Sequence, residues 1–182
     1  ISAGTASGSL DITTNKLSIS AWIKRTTDNI PQWVIGKMGP STGSWGLYVN
    51  SPGGGAPNKL DLTMDVGGGW GSGGGDFNVT VPNDGNWHHV AAVYNGTNVI
   101  GYVDNAASTP ISDSGNIVSK SYTCKLGWED GWGAVAPREV GAVLAGEERQ
   151  IAHEDEFGQS RLAPLLVDEL QDALLDGLLV GR

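Results

Sequence analysis

Residues 84–96 read DGNWHHVAAVYNG, and the adjacent His88 and His89 are two of only three histidines in the chain. Imidazoles titrate near neutral pH and ligate metals, so the pair is the first place to look for chemistry. The spacing argues against it. Trp87, His89, Ala91 and Val93 alternate with His88, Val90, Ala92 and Tyr94, and the stretch lies between an Asp-Gly and an Asn-Gly turn. That is the pattern of a β-strand between tight turns. Successive side chains of a strand point to opposite faces, so neighbouring histidines cannot chelate one ion; a strand would need His-x-His. The pair is expected to form part of a wall.

Other reactive groups are sparse. HEDEF (153–157) sets Glu154 and Glu156 on one face if extended, beside His153, with Glu147 and Glu148 nearby. No recognised ligand spacing joins them, and an acidic solvated loop is the expected role. Cys124 is the single cysteine, so no internal disulfide can form, and its expected role is that of a small half-buried hydrophobe. No CxxC, HExxH, P-loop or nucleophile elbow occurs. These residues point away from an enzyme.

Binding is the other reading. VGGGWGSGGGD (66–76) holds Trp70 in a loop made almost wholly of glycine. Such a loop either folds its indole back onto a neighbouring face or displays it, and an aromatic face suits the apolar C–H face of a sugar. Trp45 and Tyr48 lie on opposite faces of one strand, so at most one of them faces outward. The ligand-binding candidates are Trp70, Trp45 and Tyr48. Trp128 and Trp132 flank EDG and extend the aromatic inventory. The formal charge of −9 argues against nucleic acid or an anionic membrane as partner. No run of 18 apolar residues exists, so no membrane-inserted helix is expected. The chain opens at Ile1, as a processed or partial product would.

The elements that must position these residues are short. LSISAWIK (17–24), WVIG (33–36), SWGLYVN (44–50), KLDLTMDV (59–66), DFNVTVP (76–82), the histidine strand, NVIGYVD (98–104) and SYTCKLG (121–127) each read as strands. About eight alternating strands joined by Gly-rich turns predict an all-β, antiparallel sandwich or barrel. Leu17, Ile19, Ile23, Leu60, Leu62, Met64, Val90 and Ala92 are its expected core.

The composition changes near residue 125. Up to Lys125 there is no Glu, with seven Lys and Arg against eight Asp; beyond it four Arg face twelve acids, with ten Leu and neither Thr nor Asn. A second structural unit, a fused extension or a displaced reading frame would each produce that break. The expected division is 1–127 as the sandwich and 128–182 as an acidic, Leu-rich extension. In its last part Leu162, Leu166, Leu170, Leu174 and Leu178 recur at helical spacing, which predicts an amphipathic helix over 162–180. Residues 160–182 are then a docking element for the sandwich or for a neighbouring subunit.

LSISAWIKR, WVIGK, GSWGLYVN, KLDLTMDV and, most specifically, DGNWHHVAAVYNGTNVIGYVDNAAS resemble the laminin-G-like jelly roll of the concanavalin-A-like lectin/glucanase superfamily. The resemblance spans residues 9–127. It implies two packed antiparallel sheets, with the Trp-His-His strand in one of them. An opening strand of the type F-D-G-x-x-D-Y is missing, and VDEL (167–170) alone resembles the closing strand. The resemblance also implies calcium near such acidic positions, and a metal site there stays open. Glycosidases of the superfamily carry ExDxE on one strand, which residues 1–125 lack, so the resemblance points to a non-catalytic carbohydrate-binding or adhesion module. The alternative is a structural subunit, such as a virion decoration or filament protein. Either way the expected setting is extracellular, at a cell or virion surface.

Overall fold

In LSISAWIK the aliphatic residues fall on every second position, and the chain there forms β1 (Leu17–Lys24) with Leu17, Ile19, Ala21 and Ile23 buried. Strands β2 (Gln32–Met38), β3 (Gly43–Val49), β4 (Lys59–Met64), β5 (Gly73–Thr80), β6 (Trp87–Tyr94) and β7 (Asn98–Val103) follow, with β2 and β3 buried along their whole length. Shorter pieces follow: β8 (Ala106–Ala107), β9 (Ile111–Ser112) and β10 (Cys124–Leu126). Then come β11 (Glu139–Ala145), β12 (Arg149–Glu154) and β13 (Ser160–Ala163). The computed structural model describes residues 10–26, 30–39, 42–50, 57–127, 139–145, 149–154 and 160–163, the last three stretches by backbone alone.

The strands make two antiparallel sheets. One has the order β10-β2-β3-β4-β5; the other runs β13-β12-β11-β1-β6-β7-β8, with β9 also on β7. Their inner faces share one apolar core, to which β1, β3, β4 and β6 contribute Ile19, Ile23, Leu47, Leu60, Leu62 and Val90. All eight core residues expected from the alternation are 1% exposed or less. The chain is therefore an antiparallel β-sandwich with the faces assigned as the sequence pattern indicates.

One buried ion anchors an end of the sandwich. Arg25, just past β1, donates to the side chain of Gln32, to Val81 O at 2.7 Å and to Asn58 Oδ1 at 3.0 Å. A guanidinium this far from water is tolerable only when its donors are matched. It ties β1 to the start of β2, the turn before β4 and the end of β5.

Some elements differ from the sequence pattern. The expected strand over 121–127 contracts to Cys124–Leu126, and β8, β9 and β11–β13 have no counterpart among the expected strands. β11 pairs along β1 from Ser18↔Ala145 to Lys24↔Glu139, so β1 has a neighbour on both sides. The helix expected over 162–180 lies outside the described residues from 164 onward; Leu162 and Ala163 stand in β13.

Leu62 is fully buried and sits in the centre of β4, between Leu47 and Gly75 in register. Leu62→Ala is expected to destabilise the chain by about 2–5 kcal/mol in urea denaturation. A loss below about 0.5 kcal/mol, a surface value, would show that the faces are reversed.

Candidate functional site

The outer face of the five-stranded sheet is unlike an ordinary solvated one. A register shift between Trp33 and Ile35 turns Trp33 outward while Ile35 stays in the core. One cross-strand row on this face then runs Trp33, Tyr48, Asp61, Asp76 over β2 to β5. The next row runs Gly36, Gly46, Thr63, Gly74. Three of its four members have no side chain, and larger groups sink into the space. A Cβ on Gly46 would collide with the ε-methyl of Met38, and one on Gly36 would come within 2.6 Å of it. Trp33 and Tyr48 meet edge to face at 4.3 Å between ring centroids. With Met38 they form a second apolar cluster, and Trp70 packs against it.

Trp70 is held there by the loop that carries it. Asp65, at the end of β4, accepts the amides of Gly67 and Gly69 on Oδ1 at 2.9 and 3.1 Å. Its Oδ2 faces Lys120 Nζ at 3.0 Å. Burial alone would raise its pKa, but the Gly67 amide, Lys120 and the Gly69 amide outweigh that and hold it below the usual range. Gly71 N donates to Met64 O, and Ser72 Oγ accepts Val66 N, closing the loop on itself. Gly67, Gly69 and Gly71 all have positive φ, a backbone region that L side chains enter at a cost. Trp70 ends half-buried over Gly43, where an added Cβ would come within 2.8 Å of its ring. The two alternatives for this indole, folded back or displayed, are thus both partly realised.

Polar groups line the same face. The Tyr48 hydroxyl donates to Thr63 Oγ1, which donates to Asp61 Oδ1 at 2.9 Å. Asp61 is 3% exposed and shares a hydrogen bond with the exposed Asp76 directly across the ladder. Burial, and then the second carboxyl, push Asp61 up to about 7. Near neutral pH it is thus poised to hold or release a proton. The arrangement joins a part-exposed indole to a hydroxyl and a carboxyl pair, the group types that recognise a polyol with an apolar face.

The other candidates have different roles. Trp45 faces the core at 0% exposure, with no surface for a ligand, and its Nε1 has no hydrogen-bond partner among the described residues. Its removal from the candidate set is a correction: of the two faces of β3, Tyr48 takes the outer one and Trp45 the inner. Tyr48 is itself buried beside Trp33. His88 lies between Asp104 Oδ2 (2.5 Å) and Asp84 Oδ1 (3.0 Å). Burial lowers its pKa, but the two carboxylates more than reverse that, and the net shift is upward. The His89 ring lies tilted against Trp22 at 5.4 Å between centroids, and its pKa is lowered by burial. The pair is bound into the wall, one ring on each face. Burial pushes the Cys124 thiol up to about 12, far from a reactive thiolate. Glu147, Glu148, Glu156, Trp128 and Trp132 lie outside the described residues, and the backbone alone is described for His153 and Glu154. Among the described residues no group of three or more His, Cys, Asp or Glu is placed to hold a metal. No helix of the described residues is long and apolar enough to cross a membrane.

Trp33, Asp61, Thr63, Asp65 and Asp76 were not singled out by sequence. Their signal was faint: the polar positions of KLDLTMDV look solvated until β5 and the glycine loop are laid against them.

A family model described as the concanavalin A-like lectin/glucanases superfamily matches residues 2–136. Among solved structures, domains LG4-5 of the mouse laminin alpha1 chain match at TM-score 0.55 and 14% identity, over 87% of this chain and 42% of that one. The CBM40 of Ruminococcus gnavus IT-sialidase, bound to alpha2,3 sialyllactose, matches at TM-score 0.49 and 15% identity, over 87% and 81%. Domain 4 of AbnA, a GH43 extracellular arabinanase from Geobacillus stearothermophilus, in complex with arabinotriose, matches at 0.48 and 16%, over 73% and 61%. No curated protein matches by sequence. This chain spans less than two thirds of either the laminin or the arabinanase chain.

The raised Asp61 has a stability consequence. Unfolded, its carboxyl ionises near 3.8; folded, it keeps its proton to about 7. The folded state binds more protons in between, so this group's contribution to stability falls as pH rises from about 4 to about 7, then levels off. Asp61→Asn should flatten that decline relative to the parent chain in urea titrations across the window. An unchanged pH profile would show that Asp61 titrates normally.

Proposed function

The chain belongs to the concanavalin A-like lectin/glucanases superfamily, and from that membership we propose that it is a non-catalytic carbohydrate-binding module acting outside the cell. The observation that carries the reading is the outer face of the five-stranded sheet, where half-exposed Trp70 stands over Trp33 and Tyr48 beside the Thr63–Asp61–Asp76 row. Trp70 offers a ring face for pyranose or furanose C–H groups. Thr63 and the exposed Asp76 supply acceptors for sugar hydroxyls, with buried Asp61 setting both in place. The loop is already bonded in place through Asp65, which lowers the ordering cost of binding.

The same geometry speaks against hydrolysis. Glycosidase carboxyls stand roughly 5–5.5 Å apart in retaining enzymes and about 6.5–9.5 Å apart in inverting ones. Asp61 and Asp76 are in direct hydrogen-bonding contact, closer than either arrangement allows. The extracellular setting rests on the family and is proposed with it.

A glycan array with the full chain and its Trp70→Ala variant tests the reading. Binding to at least one oligosaccharide, weakened tenfold or more by Trp70→Ala with the melting temperature held, is the expected result. Glycan affinity that ignores Trp70→Ala would remove this face from the account. On laminarin and arabinan the chain should release no reducing ends; turnover abolished by Glu154→Gln or Glu156→Gln would overturn the non-catalytic reading.

A further inference from the structure

The eight-stranded sheet has an outer face too, and it carries the two most exposed large apolar side chains among the described residues. Trp22 on β1 is 39% exposed and Trp87 on β6 is 43% exposed. They are neighbours. In register Trp22 stands opposite His89 and Lys24 opposite Trp87, so the four residues form a square with the indoles on one diagonal. Diagonal partners across an antiparallel pair lie roughly 7–8 Å apart, within joint reach of one extended ligand. On its other side Trp22 pairs with Gly141, which has no side chain to cover it.

The square is rigid. Each member sits inside a hydrogen-bonded ladder, His89 packs against Trp22 at a 55° ring angle, and Lys24 Nζ lies 6.0 Å from the Trp87 ring. Just beyond it, Asp104 accepts the His89 amide at 2.9 Å and holds His88 from the far side of the strand. The His89 ring takes no hydrogen bond from a described residue. Burial lowers its pKa, which favours the neutral ring, able to donate from one nitrogen and accept at the other.

The exposed area decides the class of ligand. At these exposures two indoles of up to about 250 Å² each present roughly 200 Å² between them. A stable protein interface needs about 800 Å² from each partner, and ordinary monomers expose larger apolar patches than this. A sugar chain needs far less, because one ring face covers one indole and its hydroxyls reach polar groups at the rim.

We propose that Trp22 and Trp87 form a second carbohydrate platform, on the opposite side of the sandwich from Trp70, which takes a neutral glycan chain laid across both indoles with His89 meeting a hydroxyl. The ligand class rests on the proposed function, but the residues are separate. A chain with both faces active is bivalent, and it holds a polysaccharide more tightly than either face alone.

The test is affinity electrophoresis of the full chain through soluble β-glucan, xylan, arabinan and galactomannan, with sedimentation run alongside. The variants are Trp70→Ala, the pair Trp22→Thr with Trp87→Thr, the conservative pair Trp22→Tyr with Trp87→Tyr, and Trp70→Ala combined with the threonine pair. Threonine suits exposed strand positions, and melting temperatures confirm folding. The expected result is that Trp70→Ala keeps residual retention by one polysaccharide. The threonine pair should then abolish it, with a tenfold or greater rise in Kd, while the tyrosine pair restores part of it. If the threonine pair binds like the parent and Trp70→Ala alone removes binding, the platform is overturned and the proposed function stands. If the parent chain binds none of the four, or if the threonine pair instead dissolves a dimer seen in sedimentation, the platform is likewise refuted.

Discussion

A buried carboxylate must find partners or give up its charge, and that of Asp65 finds three. Gly67 and Gly69 give it their amides and Lys120 its ammonium, while the Asp65 backbone amide donates to Ser44 O. Its carbonyl accepts Val118 N, which brings the segment leading into β10 across the end of β3 and β4. Without that charge the glycine loop would keep only its bonds to Ser72 and Met64 against a large ordering cost, since glycine chains lose more entropy on ordering than any other. The position of Trp70 therefore depends on a residue that cannot itself meet a ligand.

The two outer faces show two ways for a sandwich to carry aromatic side chains. On the five-stranded sheet the Gly36–Gly46 pair opens a hollow, and Met38, Trp33 and Tyr48 settle into it. Their burial stabilises that sheet and leaves Trp70 as the exposed tip. On the eight-stranded sheet Ala91 and Ser20 are in register one step along from Trp22 and His89, and the indoles stand clear of the surface. A sunken face with polar neighbours selects by hydrogen bonding; a raised one selects by flatness.

Much of the fold was legible because the core is written in period two. Leu60, Leu62 and Met64 against Asp61 and Thr63 fix the faces of β4 with no knowledge of its partners. The histidine strand gave its role in the same way. What was not legible came from contacts between distant segments. WVIG shows no sign of the bulge that turns Trp33 outward, because the shift is defined by its pairing with β3. Asp61 and Asp65 read as solvated, yet both are buried: Asp76 and Lys120 arrive from elsewhere in the chain, and the Gly67 and Gly69 amides turn back onto Asp65. Alternation places Tyr48 and Trp45 on opposite faces but cannot say which is inner; the neighbours Leu47 and Val49, which share a face with Trp45, held that answer. The same alternation put Trp22 opposite to Leu17 and Ile19, and only the register with β6 shows that it stands diagonal to Trp87.

The central claim is that Asp65 holds the Trp70 loop in its binding shape before any ligand arrives. Amide hydrogen exchange at Gly67 and Gly69, followed by NMR in the free chain and in Asp65→Ala, measures that directly. The account predicts that both amides exchange much more slowly than an unstructured loop and that Asp65→Ala returns them to the unstructured rate while core amides such as that of Leu62 stay protected. Gly67 and Gly69 amides that exchange freely in the parent chain would contradict it.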